Sequence, residues 1–200
     1  MNIPDESLRS CFSKLTLVNE TYRLNYVSFG QVLKSLDDLM DICSSHLDKN
    51  IIFREHKARF HDHAIRGFYL SLGISYEIVL VGGQNLCWQR FITAKEIFQV
   101  LLDEISQRST NLGSLIDEVT LNFHLIDHQV TPKAETEVLA EICAAEFLFP
   151  YTKRQHLLNS GKELNFLQIA EEIKIPQLIV EQFLSVSYME VLNPESYRNP

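Results

Sequence analysis

A chain of 200 residues with 46% hydrophobic and 22% charged side chains is suited to one globular domain with a real core, or one domain and a small appendage. Acidic residues outnumber basic ones, 26 to 18, and the net charge of −8 argues against a large phosphate-neutralising surface, so nucleic acid is a poor default partner. The polar, acidic opening "MNIPDESLRSCF" lacks the basic start and apolar run of a secretory signal, and no stretch approaches the ~18–20 apolar residues that cross a bilayer.

These features predict a soluble, cytoplasmic protein without a membrane segment. Cys11, Cys43, Cys87 and Cys143 are widely spaced and form no C-x-x-C pair. Reduced, mostly buried thiols are the expectation, rather than a disulfide frame.

In chain order, the first element with a clear period is Phe29 to Leu47. Apolar residues at Val32, Leu33, Leu36, Leu39, Met40 and Cys43 mark one face of an amphipathic helix. The preceding "TLVNETYRLNYVS" is ambiguous between loop and short element. "IIFREHKARFHDHA" mixes charge and histidines and has no clean period. From Ile65 to Asn85 the composition turns β-branched and aromatic, with Gly67, Gly73, Gly82 and Gly83 as breakers. Two strands are predicted, Gly67 to Leu72 and Tyr76 to Val81, closed by a "GGQN" turn. That turn lacks the strand, glycine loop and lysine of a phosphate-binding loop.

A helix follows from Gln89 to Gln107, with Ala94, Ile97, Phe98, Leu101, Leu102 and Ile105 as its buried stripe. The connecting region "RSTNLGSLIDEVTLNFHLIDHQVTPKAET" holds at most a short helix near Leu115 to Val119. A second strong helix starts after Pro132 and runs to about Phe149, where Pro150 ends it. Shorter helices are predicted at Lys153 to Leu158, Phe166 to Lys174 and Gln177 to Ser185, before a frayed "NPESYRNP". The chain divides into an N-terminal helical segment (1–64), a core (65–150) and C-terminal helices completing the same domain (151–200).

The chemistry centres on two stretches, "RFITAKEIFQVLL" and "ETEVLAEICAAEFLFP". Together they resemble the ImmA/IrrE family of metallopeptidase-like proteins, over about Ile65 to Ser185. Arg90, Phe91, Ala94 and Glu96 match the family's first motif helix. Glu137, Ala140, Ala144, Ala145, Leu148 and Pro150 match its second, with Cys143 where phenylalanine is usual. The resemblance implies an α+β fold of zincin-like peptidase type, a small sheet packed against helices with a helical C-terminal extension. In that family two histidines and a glutamate hold zinc, and the glutamate after the first histidine activates the bound water. Zinc requires three protein ligands at ~2.0–2.2 Å from nitrogen or oxygen and one open position. It lowers the pKa of its water for a nearby carboxylate to deprotonate.

Carried over by the resemblance, the metal positions are Lys95, Gln99 and Glu137, and the general-base position is Glu96. A lysine ammonium offers no lone pair and an amide oxygen is a weak zinc ligand, so a degenerate site without metal or other cofactor is expected. Phe98 stands where the family usually keeps glycine, adding bulk close to the site. An ammonium at Lys95 is suited to replace the missing positive charge between Glu96 and Glu137, above all if it reaches Glu137 across the helix pair. The competing reading makes Lys95 and Gln99 an ordinary solvated helix face.

Other candidates have plain explanations. His124 and His128 have a four-residue spacing, with Asp127 between them, but lie in the connecting region and read as exposed histidines. His61 and His63, with His56 nearby, give a weak metal signal and read as surface. Cys87 has no assignable histidine partner for nucleophilic work, and Cys143, among alanines, reads as core. The tail has the cadence of a helix-turn-helix, with Ala170 and Ile175 at packing positions. Its second helix offers Gln177 and Gln182 but no arginine or lysine for DNA.

The expected function is therefore a catalytically inactive, peptidase-like module that binds or regulates a protein or peptide, with stress-response or mobile-element (including phage-associated) regulation as the context the resemblance suggests. A metallo-endopeptidase with relocated ligands and a helix-turn-helix DNA-binding regulator are the alternatives.

Overall fold

The computed structural model describes residues 3–26, 33–56, 66–102 and 132–193. The first helix, α1 (Asp5–Asn25), buries Leu8, Cys11, Phe12, Leu15, Val18 and Tyr22, one residue every three or four. Asp5 and Glu6 in its first turn and Arg23 in its last oppose the helix dipole. Most of the ambiguous "TLVNETYRLNYVS" stretch thus belongs to this helix. Val18 and Tyr22 continue the stripe while the intervening polar residues face outward.

Helix α2 (Leu36–Leu47) leaves out Leu33 of the expected stripe, because Ser35 is extended and its hydroxyl accepts the Asp38 N–H at 3.2 Å; the expected start, 29–32, lies outside the described residues. That cap satisfies a helix-end donor and fixes the start. Asp48, in the left-handed region at φ 51°, ends it.

A strand, β1 (Asn50–His56), then forms where no period was readable. Alternation requires one buried face, and Ile52 to Glu55 are all exposed, so the sequence carries no alternating signal there. The two predicted strands are present as β2 (Gly67–Ser71) and β3 (Ser75–Val81). The sheet order is β1-β3-β2, with β1 parallel and β2 antiparallel to β3. Gly73 turns the hairpin at φ 81°, a conformation that suits glycine. The "GGQN" stretch also closes as expected. Gly83 has φ 88°, and the Gln84 side-chain amide donates to the carbonyls of Arg66 and Val81.

Helix α3 (Leu86–Leu102) starts with the Asn85 side chain accepting the Trp88 N–H at 3.0 Å. It is wrapped by β2 and β3, by α2, and by α4 (Pro132–Leu148). Consequently every residue from Phe91 to Val100 is buried, polar ones included, instead of the single expected stripe. Gly67 permits the close approach of β2 to α3: a Cβ there would lie 2.6 Å from Ile92 Cγ2. On α4, Ala140, Cys143, Ala144 and Ala145 have no exposure, and the small side chains let α3 pack tightly against it. Phe98 and Phe147 meet edge to face, ring centroids 5.8 Å apart, so the bulk at position 98 fills the core between the two helices.

The C-terminal part comprises α5 (Tyr151–Asn159), α6 (Phe166–Ile173), α7 (Gln177–Phe183) and α8 (Val186–Val191). It is fastened by Arg154, which is fully buried. The guanidinium pairs with Glu146 at the end of α4 and donates to the Phe183 carbonyl at 2.9 Å. Glu146 also accepts the Tyr151 N–H at 3.0 Å, tying the turn at Pro150. Burial holds the Arg154 guanidinium down at about 10. One continuous hydrophobic cluster runs from Leu8 to Leu192, giving an α+β fold, mostly helical around a small three-stranded sheet. Among the described residues, no helix is long and apolar enough to cross a membrane.

Candidate functional site: a buried ion cluster between α3 and α4

Positions 95 and 99 are one helical turn apart, so they project from the same face of α3. That face meets α4 at Glu137. The Lys95 ammonium donates to Glu137 Oε1, and the Gln99 amide donates to Glu137 Oε2 at 2.6 Å. Two of the three positions that the family resemblance assigns to metal, 95 and 99, therefore converge on the third, the Glu137 carboxylate. Lys95 and Gln99 are 8% and 7% exposed, which rules out the solvated-face reading of this pair.

Glu96 lies deeper, 1% exposed. Its Oε1 is 3.2 Å from Lys95 Nζ, yet neither carboxylate oxygen gains a well-aligned hydrogen bond. The Lys95 ammonium sits closer to Glu137, and its contact with Glu96 is the longer ion pair of the two. A buried carboxylate with few donors is costly in its charged form. Burial accordingly pushes Glu96 up to about 7, with Lys95 opposing the rise and Glu137 adding to it. Lys95 has the reverse balance. Burial alone would lower it, but Glu96 and Glu137 outweigh that and hold the ammonium above its ordinary range.

The cluster extends further than the sequence motifs indicated. Glu141, one turn beyond Glu137 on α4, accepts from the Gln182 amide at 3.3 Å. That amide also meets the Tyr188 hydroxyl at 2.6 Å. Burial raises Glu141, with Lys95 opposing and Glu137 adding; Gln182 opposes through its hydrogen bond. The i, i+4 spacing of Glu137 and Glu141 was the available signal for this second carboxylate. Nothing local could have joined Gln182 and Tyr188 to it.

This donor set does not fit the zinc of the resembling family. The position-95 group is a cation held by two carboxylates, and the position-99 group presents N–H to the only family-type ligand, Glu137. Among the described residues, no three His, Cys, Asp or Glu side chains are arranged to hold a metal ion. His61, His63, His124 and His128 lie outside the described residues, and of His56 only the backbone, ending β1, is described. Cys143 is fully buried, as its alanine neighbours indicated, and Cys87 is half-buried on α3. In the tail, Ala170 and Ile175 pack inward as expected. Gln182 is engaged with α4, while Gln177 is exposed and pairs with Glu181 at 2.7 Å.

No protein-family model matches the chain, and a search of curated proteins finds no match. Among solved structures the chain is similar to a Mycobacterium tuberculosis transcriptional regulator, with 13% identity and a TM-score of 0.45. The likeness covers 89% of this chain and 51% of that one, so the chain spans about half its length. A likeness at that level bears on neither family nor function. The resemblance to ImmA/IrrE rests on the motif residues alone.

Proposed function

We propose that the chain is a zincin-like, peptidase-derived protein that does not hydrolyse peptides and acts by binding or regulating another protein. One observation carries this reading: the Lys95 ammonium lies where the side chains of positions 95, 99 and 137 converge, and it is paired with both Glu137 and Glu96. A dication cannot share that point with an ammonium, and no water can be activated there by Glu96 while Lys95 holds it. The cluster ties α3 to α4 in place of a metal.

A protein partner is favoured over nucleic acid by the net charge of −8. The free edge of β1 has no neighbouring strand among the described residues, and Ile52 and Phe53 are exposed along it. Such an edge can pair with an extended peptide without cutting it.

The test is elemental mass spectrometry on untagged protein purified without chelator, before and after incubation with zinc and dialysis, with a fluorogenic peptide panel assayed in parallel. Substoichiometric metal and no cleavage are expected. One zinc retained per chain, together with chelator-sensitive cleavage, would overturn the reading and favour relocated ligands.

A further inference from the structure

Cys11 and Cys143 are 132 residues apart in sequence, yet their sulfurs are 3.0 Å apart where α1 crosses α4. That is about 1 Å longer than a disulfide bond of ~2.05 Å. Both are buried, at 1% and 0% exposure. The Cys11 sulfur also lies 3.7 Å from the Leu139 carbonyl oxygen, to which its S–H can donate, and either thiol can donate to the other. Cys87 has no thiol within contact among the described residues and is half-buried.

We infer that Cys11 and Cys143 are an oxidisable pair, a site at which a peroxide joins α1 to α4 by a disulfide. In the first step a cysteine sulfur attacks a peroxide oxygen, the O–O bond breaks, and with hydrogen peroxide one water leaves, giving a sulfenic acid. In the second, the partner sulfur attacks that sulfur, the S–O bond breaks, and a second water leaves. The two thiols together lose two electrons and two protons, and the peroxide takes up both.

The surroundings set the pace. Burial, then the hydrogen bond and charge of Cys11 and the charge of Cys43, push the Cys143 thiol well above its ordinary value. Little thiolate is present at neutral pH, so the reaction is slow and proceeds through local opening of α1. A small peroxide enters such an opening more readily than a bulky disulfide reagent.

The product would have two consequences. The bond closes a loop of well over 100 residues, so it restrains the unfolded chain strongly and raises Tm by roughly 10 °C. It also fixes α4, which carries Glu137 and Glu141, to the N-terminal helix.

The experiment exposes the intact, reduced protein to hydrogen peroxide at 25 °C, blocks remaining thiols with iodoacetamide, and maps the peptides without reductant. Circular dichroism follows the fold, and Cys87 oxidation reports that the peroxide is active. The expected result is a Cys11–Cys143 cross-link with a loss of 2 Da, a higher Tm, and reversal of both by dithiothreitol. Cys43→Ala should retain the cross-link, and Cys11→Ala and Cys143→Ala should each remove it. Oxidation of Cys87 without the cross-link in a chain that stays folded overturns the inference. So does pairing of either cysteine with Cys43 or Cys87, or a cross-linked chain whose Tm is unchanged or lower.

Discussion

Replacing Glu96 by glutamine keeps the shape of a protonated carboxyl and removes the charge from the deepest point of the ion cluster. Glu96 is raised from an ordinary 4.5 to about 7, chiefly because it is buried. The folded chain therefore holds this proton more tightly than the unfolded chain does. Its stabilising contribution is fully present below about pH 4.5 and is lost as pH rises through about 7. At about 1.4 kcal/mol per tenfold change in proton affinity, the whole span corresponds to about 3 kcal/mol. Most of it, about 2 kcal/mol, falls between pH 5 and pH 8.

Glu96→Gln should therefore match the wild type to within about 1 kcal/mol at pH 5 and exceed it by about 2–3 kcal/mol at pH 8. Urea denaturation of both proteins at the two pH values measures this directly. Every other titrating group is common to the two chains, so the difference between them isolates Glu96. A pH-independent difference, or a variant less stable than wild type at pH 8, would refute the assignment of a strained buried carboxylate. The second outcome would mean that the Lys95–Glu96 pair is net stabilising despite its missing hydrogen bonds.

The remaining expectations probe the same helix pair and its supports. Lys95→Ala leaves Glu96 and Glu137 facing each other and should cost about 2–4 kcal/mol, at or just below the usual range for breaking a buried pair because Glu137 keeps some solvent contact. Lys162→Ala, at an exposed lysine, should stay within about 0.5 kcal/mol, and equal melting temperatures for the two variants would count against the cluster. The double variant Lys95→His/Gln99→His should acquire close to one zinc per chain by elemental analysis, and adding Glu137→Gln should remove it; no zinc in the double variant would show that the three positions do not converge as described. Arg154→Met strands the Glu146 carboxylate in the core and should lower stability by about 3–5 kcal/mol in a urea melt, partly restored by Glu146→Gln in the same chain. Gly67→Ala should cost about 1–3 kcal/mol through its clash with Ile92, and Ile92→Ala in the same chain should relieve part of that loss; an additive double variant would refute the contact.

Local order was largely legible in the linear sequence. The hairpin of β2 and β3, its glycine turn, the helix ended by Pro150 and the small-residue ladder of α4 follow from backbone preferences and periodicity that act over a few residues. Even α1, over which no helix is predicted from the sequence, carries a complete stripe from Leu8 to Tyr22. The paired motifs also named Lys95, Glu96, Gln99 and Glu137 as one constellation, and the charge of Lys95 pointed to an ion pair with Glu137.

What the sequence could not decide was which faces lose their water. A helix packed on one side and a helix wrapped by a sheet and two further helices can share a similar pattern, and only the second buries Lys95 and Gln99. Burial in turn raises Glu96 to about 7, draws Glu141, Gln182 and Tyr188 into the same network, and sets Cys11 against Cys143. The meetings of Lys95 and Gln99 with Glu137, of Gln182 with Glu141 and of Cys11 with Cys143 join residues far apart in the chain, through helix packing rather than local propensity. The sequence by itself determined the chemical groups and the helix faces that carry them; the tertiary fold decided which of those groups meet out of water, where their charges and hydrogen bonds count for most.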